Sequence, residues 1–244
     1  MNYSVNINGI DVDANYSEKS INDIFYPLLK RLTTLQKEKN RRILVFLAAP
    51  PGAGKSTLAS FLQKLSEEDE ELTDIQAIGM DGFHRRQEYL ASHTTLRDGK
   101  EILMVDIKGA PVTFDLELLN ERIKKLLNTE TIGWPSYDRH LHNPVEDAIT
   151  VSRDIVLIEG NYLLLNEDGW SELKELADYT IFIGADEELL RNRLIDRKIK
   201  SGNTRNKAEH FVDYSDMSNV RLCLNKSMEA DLMLQVTEDG EYTL

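Results

Sequence analysis

The chain has 244 residues, 41% of them hydrophobic and 29% charged, the composition of an ordinary soluble globular protein whose core needs no disulfide or structural metal. Acids outnumber bases by 42 to 29, giving a formal charge of −13, so the surface repels nucleic-acid backbone and anionic membranes and neither is an expected partner. The single cysteine, Cys223, excludes an intrachain disulfide and a thiolate zinc cluster; no apolar run nears bilayer length and the N terminus has no signal-type segment, so the expected compartment is the cytoplasm.

Residues 1–15 alternate around Asn8-Gly9 and suggest a small hairpin. Ile21, Ile24, Leu28, Leu29, Leu32 and Leu35 then recur at helical spacing, predicting an amphipathic helix that ends near Asn40. From Arg42 onward strand and helix patterns alternate. Strands are expected at 43–49, 74–80, 154–160, 179–185 and 230–236, and helices from Lys55 to Leu65, from Asp115, over the short segment WSELKELAD, and over DEELLRNRLIDRKIK. Near-continuous apolar strands between amphipathic helices indicate a parallel sheet covered on both faces. The expected fold is a three-layer α/β phosphate-loop domain with five parallel strands over 41–244, preceded by a hairpin-and-helix extension over 1–40.

Charge is uneven along the chain. The run 66–74 holds six acids and reads as a solvated loop. In 191–207 the balance reverses: seven basic residues face only Asp196, so this segment needs an anionic partner or internal acids to offset it.

The most specific signal is Ala49-Pro-Pro-Gly-Ala-Gly-Lys-Ser-Thr57, set between an apolar strand and a helix. Glycines allow successive backbone N–H groups to turn around a phosphate, and the helix N terminus adds its positive end. Pro51, Gly52, Ala53, Gly54, Lys55, Ser56 and Thr57 are therefore the expected nucleotide-phosphate cradle. Lys55 would reach the β- and γ-phosphates of ATP, and the Ser56 hydroxyl would ligate Mg²⁺. Ala49 stands where the usual pattern has its first glycine, with Pro50-Pro51 fixing the approach. The guanine-reading Asn-Lys-x-Asp of GTPases has no counterpart, since Asn225-Lys226-Ser227-Met228 lacks the acid.

Ligands of doubly wound sheets gather beyond the carboxyl ends of the strands. Two acids sit there: Asp81 after the second strand, in Met80-Asp81-Gly82-Phe83-His84, and Glu159 at the end of the third, in Ile158-Glu159-Gly160. One can take a proton from an attacking hydroxyl while the other holds the metal through water. Small size, acids at strand ends and a basic helix suit a kinase of small molecules.

MDGFH after the second strand, KGAPVTFD at 108–115, YDRHLHNPV at 137–145 and LIEGNYLLL at 157–165 together resemble the phosphoribulokinase, uridine kinase and bacterial pantothenate kinase family, and most of all its sugar-kinase-like or fructokinase-like branch. The resemblance covers roughly 43–236. It implies that Asp81 is the catalytic base, that Glu159 assists Mg²⁺, and that an arginine-rich lid bearing Arg193 and Arg197 closes over the phosphates. It also places acceptor contacts at Tyr137, Arg139 or His142, with His84 beside the base as a further contact. Uridine kinases look like Asp-His-Pro-x-Ala-Phe-Asp where this chain has Gly109-Ala-Pro-Val-Thr-Phe-Asp115; the acid that would hold ribose hydroxyls is replaced by Gly109, and Lys108-Gly109-x-Pro111 looks more like the pantothenate kinase pattern.

The expected function is ATP-dependent phosphorylation of a hydroxyl on a small metabolite, a sugar or polyol first, pantothenate second and a nucleoside third. An ATP-binding regulator is the alternative of another class, and Asp81 discriminates, because a sensor needs no base beside the γ-phosphate. Arg193, Arg197 and Lys200 fall at i, i+4 and i+7 and share one helix face, Leu190, Leu194 and Ile199 supply packing, and Ser201-Gly202-Asn203 ends the helix where a hinge of a lid near 186–207 could lie. A homodimer is the commonest closed assembly for such a chain.

Overall fold

A computed structural model describes residues 1–7 and 9–244. In chain order it contains the hairpin β1 (Asn2–Ile7) and β2 (Ile10–Asn15), then α1 (Glu18–Ser20), which runs through a π-turn at Ile21–Phe25 into α2 (Tyr26–Lys39). Next come β3 (Ile43–Ala48), α3 (Lys55–Glu67), β4 (Ile75–Gly79), α4 (Gln87–Ser92), β5 (Thr94–Arg97), β6 (Lys100–Leu103) and α5 (Leu116–Leu126). The hairpin β7 (Ile132–Asp138) and β8 (Asn143–Val151) precedes β9 (Ile155–Gly160), β10 (Tyr179–Ala185) and α6 (Glu187–Lys200). The chain closes with α7 (Arg205–Phe211), a second π-turn, α8 (Met217–Lys226), β11 (Leu232–Val236) and β12 (Tyr242–Thr243).

The main sheet has the order β12-β11-β10-β3-β9-β4. Its five long strands are parallel, as the apolar runs predict, and the expected count of five is corrected to six by β12, which pairs antiparallel with β11. Two residues after the Gly240 turn are too few to leave a periodic pattern. Central β3 is buried at every position. Its pleat sends Ile43, Val45 and Leu47 into one core with α2, α3 and α6, and Leu44, Phe46 and Ala48 into the other with α5 and the segment 162–165. Asp178 fixes the start of β3: its carboxylate accepts from Leu44 N–H at 3.0 Å and pairs with Lys39 and Arg41, each at 2.7 Å. The strand that carries the phosphate loop is thereby held at its base as well as along its length.

The first forty residues share that core. Tyr16 stacks on Phe61 of α3 at 4.2 Å and Tyr3 donates to or accepts from Ser60 Oγ at 2.7 Å. The expected helix is present and ends where expected, with Asn40 in the left-handed region (φ 48°) as its C-cap. The β1–β2 ladder pairs Ile7 with Ile10; of the turn expected at Asn8-Gly9, Asn8 lies outside the described residues. Two hairpins are absent from the strand pattern above. Asp98 and Gly99 (φ 51° and 74°) turn β5 into β6. In the other, Pro135 and Pro144 and an irregular register between Trp134 and Ser136 hide β7–β8, so the motif at 137–145 is the end of a hairpin. The segment WSELKELAD forms a 3₁₀ helix at Ser171–Leu176. Among the described residues no helix is long and apolar enough to cross a membrane.

Candidate active site

The phosphate loop leaves β3 at Ala49 and enters α3 at Lys55. Ala49 is fully buried in the core, so its methyl group fills space that the usual glycine would leave. Gly52 and Gly54 both have positive φ (86° and 87°), which a side chain would strain. Gly52 is constrained twice: a Cβ there would stand 3.2 Å from Leu194 Cγ and 3.3 Å from the Leu190 carbonyl of α6. The arginine-bearing helix is therefore seated directly on the phosphate loop. Pro51 and Ala53 are buried and contribute backbone to the loop.

Two cavities meet at the start of α3, and Ile7 and Ser56 line both. The larger, about 470 Å³, is lined by Gly52, Gly54, Lys55, Ser56 and Thr57, by Arg193, Asp196, Arg197, Lys200 and Ser201 of α6 and its end, and by Arg139. The tip of the N-terminal hairpin completes it with Ile7, Asp11, Val12 and Asp13. The smaller, about 170 Å³, holds Asp81, Glu159, Gly79, Ser136, Tyr137 and Ile149, walled by Asn6, Ile7 and Gln63.

The basic segment divides as the helical spacing predicts. Arg193, Arg197 and Lys200 line the larger cavity. The other cations turn away: Arg191 pairs with Asp213 at 2.6 Å, Arg205 with Glu209 at 3.3 Å, and Lys198 with Asp216 at 3.5 Å. Leu190, Leu194 and Ile195 are buried, and Gly202 (φ 96°) with Asn203 closes the helix onto the carbonyls of Ile199 and Lys198. Among the described residues the Arg197 guanidinium makes no hydrogen bond and no ion pair.

Glu159 is tied to the start of α3. Ser56 Oγ donates to Glu159 Oε1 at 2.7 Å, and Lys55 Nζ lies 3.9 Å from Glu159 Oε2. Gly79 leaves the room, since a Cβ there would stand 3.1 Å from Glu159 Oε1. Burial pushes the Asp81 carboxyl up, but the attraction of His84, Lys55, Arg139 and Arg197 outweighs it and holds the group below the ordinary carboxylate range. Burial, opposed by Lys55 and reinforced by the charge of Asp81, holds Glu159 above that range. The environment thus shifts the two carboxyls in opposite directions, Asp81 down and Glu159 up. Ser56 and Glu159 put a hydroxyl and a carboxylate oxygen side by side at the phosphate loop, the donor set that fits a Mg²⁺ also held by phosphates.

The four expected acceptor contacts separate. Tyr137 lines the carboxylate cavity, half-buried, with Lys108 Nζ 4.9 Å from its ring. Arg139 lines the phosphate cavity instead. His84 is recessed behind Asp81, its Nδ1 2.8 Å from the Asp81 carbonyl and its ring 3.9 Å from that of Phe114, and burial lowers its imidazole pKa. His142 is exposed in the turn (φ 52°) and offers its carbonyl to Lys108 Nζ at 3.0 Å. Neither histidine lines either of these two cavities: the His84 ring packs against Phe114 and His142 stands in the exposed turn. Residues missing from the sequence reading include Ile7, Val12, Ser136 and Ile149; alternation marks Ile7 as an inward strand residue, and nothing in the pattern marks it as part of a site. Trp134 and Trp170 are buried core residues, with Trp134 Nε1 donating to the Gly79 carbonyl at 2.8 Å.

Residues 44–241 match the family model described as phosphoribulokinase/uridine kinase family. The chain is 42% identical to the uncharacterized protein YggC of Escherichia coli strain K12, over 99% of this chain and 98% of that one. It is 30% identical to a uridine kinase of Clostridium perfringens, over 70% and 74% of the two chains. Among solved structures, a protein described as a candidate fructose transport system kinase from Silicibacter sp. TM1040 superposes with a TM-score of 0.71 at 29% identity, covering 83% of this chain and 98% of that one. YFH7 of Saccharomyces cerevisiae shares the fold, with a TM-score of 0.72 at 18% identity over 88% and 99% of the two chains.

Proposed function

Because the chain belongs to the phosphoribulokinase/uridine kinase family and is a P-loop kinase, we propose that it transfers the γ-phosphate of ATP to a hydroxyl of a sugar or polyol. The observation that carries this reading is that Asp81 lines a small cavity adjoining a cation-lined cavity at the phosphate loop. Asp81 takes the proton of the acceptor hydroxyl as its oxygen attacks the γ-phosphorus. Lys55, Arg193 and Arg197 neutralise charge on the phosphoryl oxygens, and Gly52 and Gly54 let the loop backbone approach them. Ser56 and Glu159 would hold Mg²⁺, which when bound supplies charge neutralisation across the β- and γ-phosphates.

The acceptor class follows from what surrounds Asp81. Its cavity is far smaller than the phosphate cavity and suits a compact molecule. Gly109, where uridine kinases look to have an acid, has φ of 104° and no side chain; its carbonyl accepts from Tyr162 Oη at 2.6 Å and its N–H donates to Thr113 Oγ1 at 3.1 Å. A ribose diol would find no carboxylate there. The fructose transport system kinase description of one structural relative agrees with a sugar acceptor. The uridine kinase names of other relatives favour a nucleoside as the second reading. A coupled ADP-release screen against ketoses, aldoses, polyols, pantothenate and nucleosides tests the proposal. Acceptor-dependent ADP release with a sugar or polyol is expected; release with a nucleoside alone would replace the acceptor class, and release with none would favour an ATP-binding regulator.

A further inference from the structure

We propose that Arg139, carried on the β7–β8 turn, is a catalytic residue that grips the transferring phosphoryl group and is not an acceptor contact. The inference rests on the kinase reading above and adds to it a phosphate ligand from outside the phosphate loop and α6.

Position is the first argument. Arg139 follows the last residue of β7, and Asp138 fixes the turn by accepting at Oδ1 from the N–H groups of His140 (2.7 Å) and Leu141 (2.9 Å). The side chain of Arg139 lines the phosphate cavity together with Lys55, Arg193 and Arg197. Tyr137, two residues earlier, lines the carboxylate cavity. One hairpin end therefore serves both cavities, and Arg139 is on the phosphate side.

Bonding is the second. Arg139 Nε is buried with no hydrogen-bond partner, and among the described residues no carboxylate lies within ion-pair distance of the guanidinium. A buried donor left unpaired is expensive in free energy. A guanidinium presents a planar fork of donors that matches the oxygens of a phosphate. Lys55, Arg139, Arg193, Arg197 and Lys200 share the cavity with Asp196 and with Asp11 and Asp13 of the hairpin, which are exposed. Cations outnumber acids, and an anionic ligand with several oxygens satisfies both the charge and the open donor.

Chemistry is the third. As the acceptor O–P bond forms, the bond from the γ-phosphorus to the β–γ bridging oxygen breaks; the hydroxyl proton goes to Asp81 and the electron pair leaves on ADP. Arg139, reaching the cavity from the β7–β8 turn and close enough to act on both Asp81 and Arg197 of α6, meets the oxygens of the group in flight, where charge must be held.

The test is titration calorimetry of Mg²⁺-ADP and of Mg²⁺-β,γ-imido-ATP, without acceptor, into the wild-type protein, Arg139→Ala and Arg139→Lys. Loss of a charge-assisted bond to the γ-phosphate should weaken the imido analogue by about 10- to 100-fold in Arg139→Ala while ADP affinity holds. Arg139→Lys should fall between the two, because a point cation replaces a fork. Equal affinities for both nucleotides in all three proteins, or equal loss of both in Arg139→Ala, overturns the clamp and returns Arg139 to the acceptor. A wild-type protein that binds neither nucleotide overturns the kinase reading itself, and the clamp with it.

Discussion

The phosphate side and the carboxylate side of this site are built in opposite ways. The phosphate side is mostly one contiguous stretch, 49–57, whose geometry follows from a strand buried on both faces, two glycines at positive φ and a helix start. The carboxylate side is assembled from Ile7 of β1, Asp81 after β4, Tyr137 at the end of β7 and Glu159 of β9. A contiguous loop supplies what every nucleoside triphosphate requires. The second cavity is lined instead by segments gathered from across the chain.

The comparison can be broken most forcefully at Arg197, which belongs to the phosphate side yet reaches Asp81 electrostatically. Arg197→Ala is expected to lower kcat by ~10³–10⁵ while ADP binding persists. Hydrogen exchange over 190–205 should slow when an ATP analogue and acceptor are both present. A proportional loss of ADP affinity would make Arg197 a nucleotide anchor and deny it a role in closure.

Asp81→Asn sharpens the same contrast from the other side. It preserves shape and removes the base, so kcat should fall by ~10²–10⁴ with nucleotide affinity intact in steady-state and binding measurements. Loss of nucleotide affinity with normal kcat would assign Asp81 to the phosphate side.

Ile7→Ala is the mildest probe. Ile7 lines both cavities, so shortening it should admit water beside the γ-phosphate. Acceptor-independent ATP hydrolysis is expected to rise several-fold at unchanged nucleotide affinity. An unchanged hydrolysis rate would limit the hairpin to a packing role on α3.

The difference in construction also explains which parts were legible. Five parallel strands and the long helices announce themselves through local periodicity, and Gly52, Gly54, Lys55 and Ser56 through spacing. Acids at strand ends drew attention to Asp81 and Glu159, but not to the 2.7 Å hydrogen bond that joins Glu159 to Ser56. The β7–β8 hairpin was obscured by its prolines and broken register, and sequence proximity to Asp81 and Tyr137 carries no side-chain direction for His84 and His142. The family resemblance correctly identified the kinase, since its motifs are contiguous and lie at strand ends.

By itself the sequence determined a doubly wound sheet, a phosphate cradle and a helix with Arg193, Arg197 and Lys200 on one face, because each depends on neighbours within a few residues and on the 2.0 and 3.6 residue periods of strand and helix. Only the tertiary structure decided that Gly52 must stay small beneath Leu194, that Arg139 lines the same cavity as the phosphate loop, and that the N-terminal hairpin walls both cavities. Those relations join residues far apart in the chain. They are fixed by how elements pack and which way side chains point from them, and neither is encoded in any local pattern.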